Sequence, residues 1–194
     1  MKKLKVNEIF YSLQGEGARA GEATVFVRLS GCDLACGFCD TEFESGKNMG
    51  VEEILARVKE HPSKWVTWTG GEPMLQLTED VVSLFHSEGY LQSIETNGGH
   101  AVPFRLDWLV VSPKVAEHVV ERNFPNGVDE LRYAWHRGKT SVPSPRVPAK
   151  HLFLSPVFNG DQADAENLIH CINLCKDNPD WKLSTQQHKD WKVL

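Results

Sequence analysis

The chain lacks any apolar run near the ~20 residues that a membrane-spanning helix requires. Its opening, Met1-Lys2-Lys3-Leu4, lacks the apolar stretch of a secretory signal. Both absences point to the cytoplasm, where free thiols persist. An even cysteine count is missing as well: there are five, which makes a disulfide framework a poor reading. Basic residues are not in excess, and a net charge of -5 argues against direct nucleic-acid binding through bulk electrostatics. No internal repeat is visible, which leaves out repeat architectures. What remains is a chain of 194 residues, 41% hydrophobic and 24% charged, with the size and composition of one ordinary globular domain.

Chemistry concentrates in Gly31-Cys32-Asp33-Leu34-Ala35-Cys36-Gly37-Phe38-Cys39-Asp40, where Cys32, Cys36 and Cys39 are spaced Cys-x3-Cys-x2-Cys. Three thiolates in one short, glycine-flanked turn can converge on a single metal centre. An iron–sulfur cluster ordinarily takes four cysteines, so three leave one iron open, and open coordination separates a reacting metal from a structural one. A zinc knuckle needs a fourth Cys or His, and the next histidine, His61, lies beyond a helical segment. Ligand number therefore favours the open cluster. Cys171 and Cys175 read differently. With Leu168 and Ile172 they fall at helical spacing on one apolar stripe, where cysteine acts as a small buried hydrophobe.

Apolar, β-branched runs alternate with helical patterns, as in parallel β/α units. Strands are predicted at about 5–11, 24–30, 65–69, 91–95, 108–111, 130–134 and 151–154, with a short one near 181–184. Helices are predicted at about 51–60, from a Thr78 cap to Gly89, and at about 163–176. A polar or glycine-rich cluster follows strand after strand: 13–17, 31–32, 69–73, 95–99, 112–114 and 155–157. In parallel β/α folds, active sites are built at the carboxyl ends of strands. The expected fold is α/β, an open, partial (β/α) barrel of about six parallel strands with few helices. It is expected to form one domain over residues 1–194. Pro143, Pro145 and Pro148 argue for an irregular loop at 135–150. Arg137, Lys139, Arg146 and Lys150 have no acidic residue within that loop. It reads as a solvated connector, with docking of an acidic electron donor as the minority alternative.

Thr69-Gly70-Gly71-Glu72-Pro73 resembles the Gly-Gly-Glu-Pro motif of radical S-adenosylmethionine enzymes, whose commonest cysteine spacing is the one present here. Leu13-Gln14-Gly15-Glu16-Gly17, Arg28, Cys39-Asp40-Thr41, Glu95-Thr96-Asn97-Gly98, Ser112-Pro113-Lys114 and Leu183-Ser184-Thr185-Gln186-Gln187-His188-Lys189 narrow the likeness. Together they resemble the 7-carboxy-7-deazaguanine synthase family over nearly the whole chain.

That resemblance implies a radical-enzyme fold with one [4Fe-4S] cluster on Cys32, Cys36 and Cys39, S-adenosyl-L-methionine on the open iron, and Mg2+ on Thr41. It implies cofactor contacts from Phe38, Gly71, Ser112, Pro113, Lys114, Ser155, Pro156, Val157 and Phe158. Substrate contacts would come from Leu13, Gln14, Gly15, Arg28, Thr69, His188 and Leu194, the last two within a substrate-facing segment, 183–194. Arg28 suits a carboxylate because its planar fork matches two oxygens.

The implied reaction turns 6-carboxy-5,6,7,8-tetrahydropterin into 7-carboxy-7-deazaguanine with loss of ammonia. A 5′-deoxyadenosyl radical takes the hydrogen at C6 and returns it after the ring contracts. Glu16 and His188 are the candidates for handling ammonia loss. A homodimer, a flavodoxin-like or other reductant, and a role in queuosine biosynthesis are implied in the same way. Three rival readings remain. A glycyl-radical activase would share the cysteines without needing Arg28 or Thr41, an electron carrier would complete its cluster with a fourth cysteine, and a zinc-stabilised interaction module would close its site.

Overall fold

A computed structural model describes residues 2–39, 41–159 and 162–193. The strands in chain order are Lys3–Leu13 (β1), Ala23–Leu29 (β2), Lys47–Gly50 (β3), Trp65–Gly70 (β4), Leu91–Thr96 (β5), Trp108–Val111 (β6), Val128–Trp135 (β7), Ala149–Pro156 (β8), Phe158–Asn159 (β9), Gln162–Ala163 (β10) and Trp181–Leu183 (β11). Nine of them form one sheet in the order β11-β8-β7-β6-β5-β4-β2-β1-β3, while β9 and β10 pair separately. From β2 through β4, β5, β6, β7 and β8 to β11, every neighbouring pair is parallel. The helices are Val51–Lys59 (α1), Glu79–Ser87 (α2), Glu117–Asn123 (α3), Ala165–Asp177 (α4) and Gln187–Trp191 (α5). Among the described residues, no helix is long and apolar enough to cross a membrane.

Alternation along each strand creates two unlike faces. Val25, Val27 and Leu29 of β2, with Val66 and Trp68 of β4, bury themselves against Ile54, Val58, Val82 and Phe85 of the first two helices. Their neighbours Thr24, Thr67 and Ser93 point the other way and form a hydroxyl ladder, with 2.9 and 2.8 Å between successive oxygens. The apolar face secures the helices, which leaves the polar face free to line a chamber.

Several expectations need correction. β1 is not one of the parallel strands: its register pairs Leu13 with Ala23 and Val6 with Leu29, so it runs antiparallel to β2. The cluster at 13–17 therefore starts from the amino ends of the parallel strands. There a 3-10 turn, Gly17–Arg19, inserts the buried Arg19 side chain, which stacks 3.5 Å from the Trp65 ring and donates to Ser93 Oγ. Thr78 stands at the start of α2 but makes no capping hydrogen bond; α4, by contrast, is capped by Asp164, which accepts from Glu166 N and Asn167 N. On α4 the buried face carries Asn167, Cys171 and Leu174, with Cys175 packed beside them, whereas Ile172 faces solvent at 37% exposure.

The irregular loop also lies where the prolines place it, between β7 and β8. Its basic residues are not free, however. Arg137 pairs with Glu166, Arg146 with Glu121, Lys150 with Asp129, and Lys139 sits over the Trp135 ring. Acids from other elements neutralise a surface that looks basic in the linear sequence.

The two far ends of the described chain meet. Gly17 N donates to Ser184 Oγ at 3.0 Å, and Gln187 N donates to Gly15 O at 3.0 Å. These bonds tie the segment after β11 to the segment after β1, across the open side of the curved sheet.

Candidate active site

Two cavities occupy the polar side of the sheet. The larger, about 630 Å³, is lined by β1 and β2 residues Glu8, Phe10, Phe26 and Arg28, by Gln14 and Gly15, and by His188. The smaller, about 260 Å³, is lined by Cys32, Cys36 and Cys39, by Gly70 and Gly71, and by residues from the ends of β6 and β8. Glu16, Thr41, Thr69, Glu95, Arg132 and Gln186 line both, and so form a shared wall.

The cysteine loop is braced by the glycine turn after β4. Gly71 N donates to Leu29 O and Glu72 N to Gly31 O. The approach is so close that a Cβ on Gly71 would stand 2.0 Å from Gly31 O. Glu72 is fully buried and its carboxylate accepts from Met74 N at 3.0 Å, Thr96 Oγ1 at 2.9 Å and Asn97 N at 2.8 Å. Burial pushes this carboxyl's pKa up, against those donors. Asn97 Nδ2 and His100 Nε2 in turn reach the Asp33 carboxylate, at 3.4 and 2.7 Å. The thiol-bearing loop is thus held from two strands.

Cys32 and Cys36 are half-buried and Cys39 is exposed. Among the described residues, no three His, Cys, Asp or Glu side chains close around one metal ion. On an iron–sulfur cluster each thiolate takes a separate iron. A donor set of three closely spaced thiols fits a three-cysteine cluster. Cys171 lies in the core, where burial pushes its thiol up to about 12.

Charge gathers at the shared wall. Arg132, almost fully buried, forms an ion pair through Nε with Glu16 at 3.1 Å and donates through Nη2 to Glu95, and its Nη1 has no hydrogen-bond partner among the described residues. Gln14 Nε2 donates to the other oxygen of Glu95 at 3.0 Å. Burial raises Glu95, Arg132 lowers it and Glu16 raises it again, leaving its carboxyl at about 7. For Arg132, burial works against the charge, but Glu95, Glu16 and Glu130 outweigh it. Lys114 is pulled down chiefly by burial, with its ammonium 5.5 Å from the Phe38 ring. The arrangement is a thiol-lined chamber opening through a charged wall into a larger chamber rich in hydrogen-bonding groups.

The profile of the Radical SAM superfamily matches residues 26–131. The chain is 38% identical to the 7-carboxy-7-deazaguanine synthase of Bacteroides thetaiotaomicron over 186 residues, covering 95% of this chain and 96% of that one. It is 37% identical to the enzyme of the same name from Bordetella pertussis, with the same coverage. The chain belongs to the 7-carboxy-7-deazaguanine synthase family. A crystal structure of QueE from Escherichia coli superposes with a TM-score of 0.77 at 26% identity, over 96% of this chain and 95% of that one.

Membership of this radical enzyme family brings a [4Fe-4S] cluster and S-adenosyl-L-methionine. Of the residues that the synthase resemblance assigns to the cofactor, Phe38, Gly71, Ser112, Lys114, Ser155, Pro156, Val157 and Phe158 line the smaller cavity. Pro113 does not, although Ser112 and Lys114 on either side of it do. Leu13, Gln14, Gly15, Arg28, Thr69 and His188, assigned to the substrate, all line the larger cavity. Leu194 lies outside the described residues. Glu95, Arg132, Glu8 and Gln186 have no role in the sequence reading. Glu95 and Gln186 do fall within the motifs that carry the family likeness, and Arg132 and Glu8 are charged residues inside predicted strands.

Proposed function

We infer that the chain performs the synthase reaction, converting 6-carboxy-5,6,7,8-tetrahydropterin to 7-carboxy-7-deazaguanine and ammonia within 7-deazapurine (queuosine) biosynthesis. The shared wall supports this most: it puts a thiol-lined chamber in contact with one of suitable size and polarity for a flat carboxylated heterocycle. Cys32, Cys36 and Cys39 would hold the cluster, and the residues lining the smaller chamber would hold S-adenosyl-L-methionine. That pair supplies the radical chemistry; the protein's part is to position and to exclude water.

Arg28 would take the substrate carboxylate as a bidentate partner. Glu16 and Glu95 would accept from the amino and amide N–H groups of the pterin edge. His188 would close the chamber from α5, packed against Gly15 so tightly that a Cβ there would stand 2.1 Å from its ring. Thr41 lines both chambers and would offer its hydroxyl to Mg2+, which keeps room for water and substrate oxygens. Glu16 and His188 remain the candidates for moving the proton that accompanies ammonia loss. A homodimer and a flavodoxin-like reductant are carried over from the family resemblance, and the neutralised loop at 136–148 gives no support to docking there.

Anaerobically reconstituted protein, incubated with the carboxylated tetrahydropterin, S-adenosyl-L-methionine and dithionite, should yield a product lighter by ammonia on mass spectrometry. Cleavage of S-adenosyl-L-methionine without that product would overturn the reading. Omission of Mg2+ should slow the wild type, whereas Thr41→Ala should keep its iron content and lose most of its response to Mg2+. An unchanged Mg2+ response in Thr41→Ala would place the ion elsewhere.

A further inference from the structure

Residues Leu4 and Val6 of β1 bury themselves in the core beneath α1 and α2. With uninterrupted alternation, Glu8 and Phe10 would follow them into that core. They do not. The register steps from Val6 opposite Leu29 to Glu8 opposite Arg28, which leaves Asn7 as an extra residue. This bulge turns Glu8 and Phe10 to the other face, where both line the larger cavity. It is pinned by the segment before β3: Asn7 Nδ2 donates to Glu42 Oε2 at 2.6 Å and to Ser45 Oγ at 2.9 Å, and Asn7 and Glu42 also line the cavity. A bulge beside a cavity commonly serves to re-aim one side chain, and the side chain re-aimed here is a carboxylate.

Its partner is Arg28. Glu8 Oε1 accepts from Arg28 Nε at 2.7 Å, and the guanidinium lies 5.4 Å from the Phe10 ring, itself stacked on Phe26. Only Nε is engaged; the two terminal nitrogens have no hydrogen-bond partner among the described residues. A half-exposed ion pair of this kind contributes little to stability, so stability does not account for the bulge. Geometry does: fixing Nε stops rotation of the guanidinium and presents its terminal pair to the cavity.

We propose that Glu8 is a positioning residue, which holds Arg28 so that its terminal nitrogens meet the carboxylate of the substrate. The proposal rests on the reading that Arg28 binds that carboxylate. Orientation of a charge-assisted fork is worth about tenfold in affinity here.

The test uses reconstituted enzyme with S-adenosyl-L-methionine bound and two fluorescent probes, 6-carboxypterin and pterin without the carboxylate. Arg28→Ala should weaken the first and spare the second. Glu8→Ala should weaken 6-carboxypterin about tenfold, leave pterin within about twofold, and raise KM for the natural substrate with kcat little changed. Glu8→Gln, whose amide oxygen still accepts from Nε, should recover much of the loss. Glu8→Ala in the Arg28→Ala background should add nothing.

If Arg28→Ala shows the carboxylate-specific loss and Glu8→Ala does not, the positioning role is wrong while the Arg28 reading stands. If Arg28→Ala shows none, both fall. Equal weakening of the two probes by Glu8→Ala, or tighter binding of 6-carboxypterin, would also overturn the role; the latter would make Glu8 a competitor.

Discussion

Glu95 is pressed in two directions, by burial toward the neutral acid and by Arg132 toward the carboxylate, and it ends near 7. An acid raised in the folded state binds its proton more tightly there than in the unfolded chain. Its contribution is therefore fully present below the unfolded value near 4.5 and is lost as pH rises through about 7. Ligand-free protein should lose stability between those limits, by up to about 1.4 kcal/mol per pH unit from this one group. Glu95→Gln should flatten that slope; urea titrations of both proteins at a series of pH values measure it. An unaltered slope would mean that other groups, such as the buried Glu72, set the dependence. At this scale the linear sequence was most informative where residues are adjacent. Three thiols within eight residues declare themselves, but Glu95, Arg132 and Glu16 come from three separate segments and meet only when the sheet curves.

Among the elements, the contact between the glycine turn after β4 and the start of the cysteine loop carries the greatest constraint. Gly71→Ala would drive a methyl group into the Gly31 carbonyl, so one of the two turns must move. The variant should fold, because the sheet and its helices pack elsewhere, yet retain less than about half the iron of the wild type after reconstitution, since misplacing one ligand loop forfeits the preorganised donor set. Iron and sulfide assays with circular dichroism check both parts. Full iron content would show that the turns do not need this approach.

The long apolar strands and α1 were legible because their periodicity is strong: Val51, Ile54, Leu55 and Val58 mark one helix face. β3, α3 and α5 were not, being short and mostly polar. The direction of β1 was equally invisible, because alternation reports which face is buried but not which way a strand runs. Ile172 was misplaced for a related reason: an apolar residue at helical spacing need not be covered.

For the molecule as a whole, the charged chamber depends on the bond between Gly17 N and Ser184 Oγ and on that between Gln187 N and Gly15 O. Ser184 is buried, so Ser184→Ala leaves the Gly17 N–H without its acceptor and should cost about 1–3 kcal/mol. The loss should appear as weaker binding of the pterin probe together with lower thermal stability; a change in stability alone would mean that the chamber holds its shape without this bond.

The same bond joins positions separated by 167 residues. During synthesis at about 5–20 residues per second, roughly 10–30 s pass between the appearance of its two partners. The thiol-bearing loop belongs to the earlier of the two parts, whereas the segment that completes the chamber is made long after it. For that interval the nascent chain presents three cysteines without the enclosure that would shelter their cluster. Metal loading is thus best delayed until that later segment has been made, and a cell that loads iron earlier would risk oxidising a half-built enzyme.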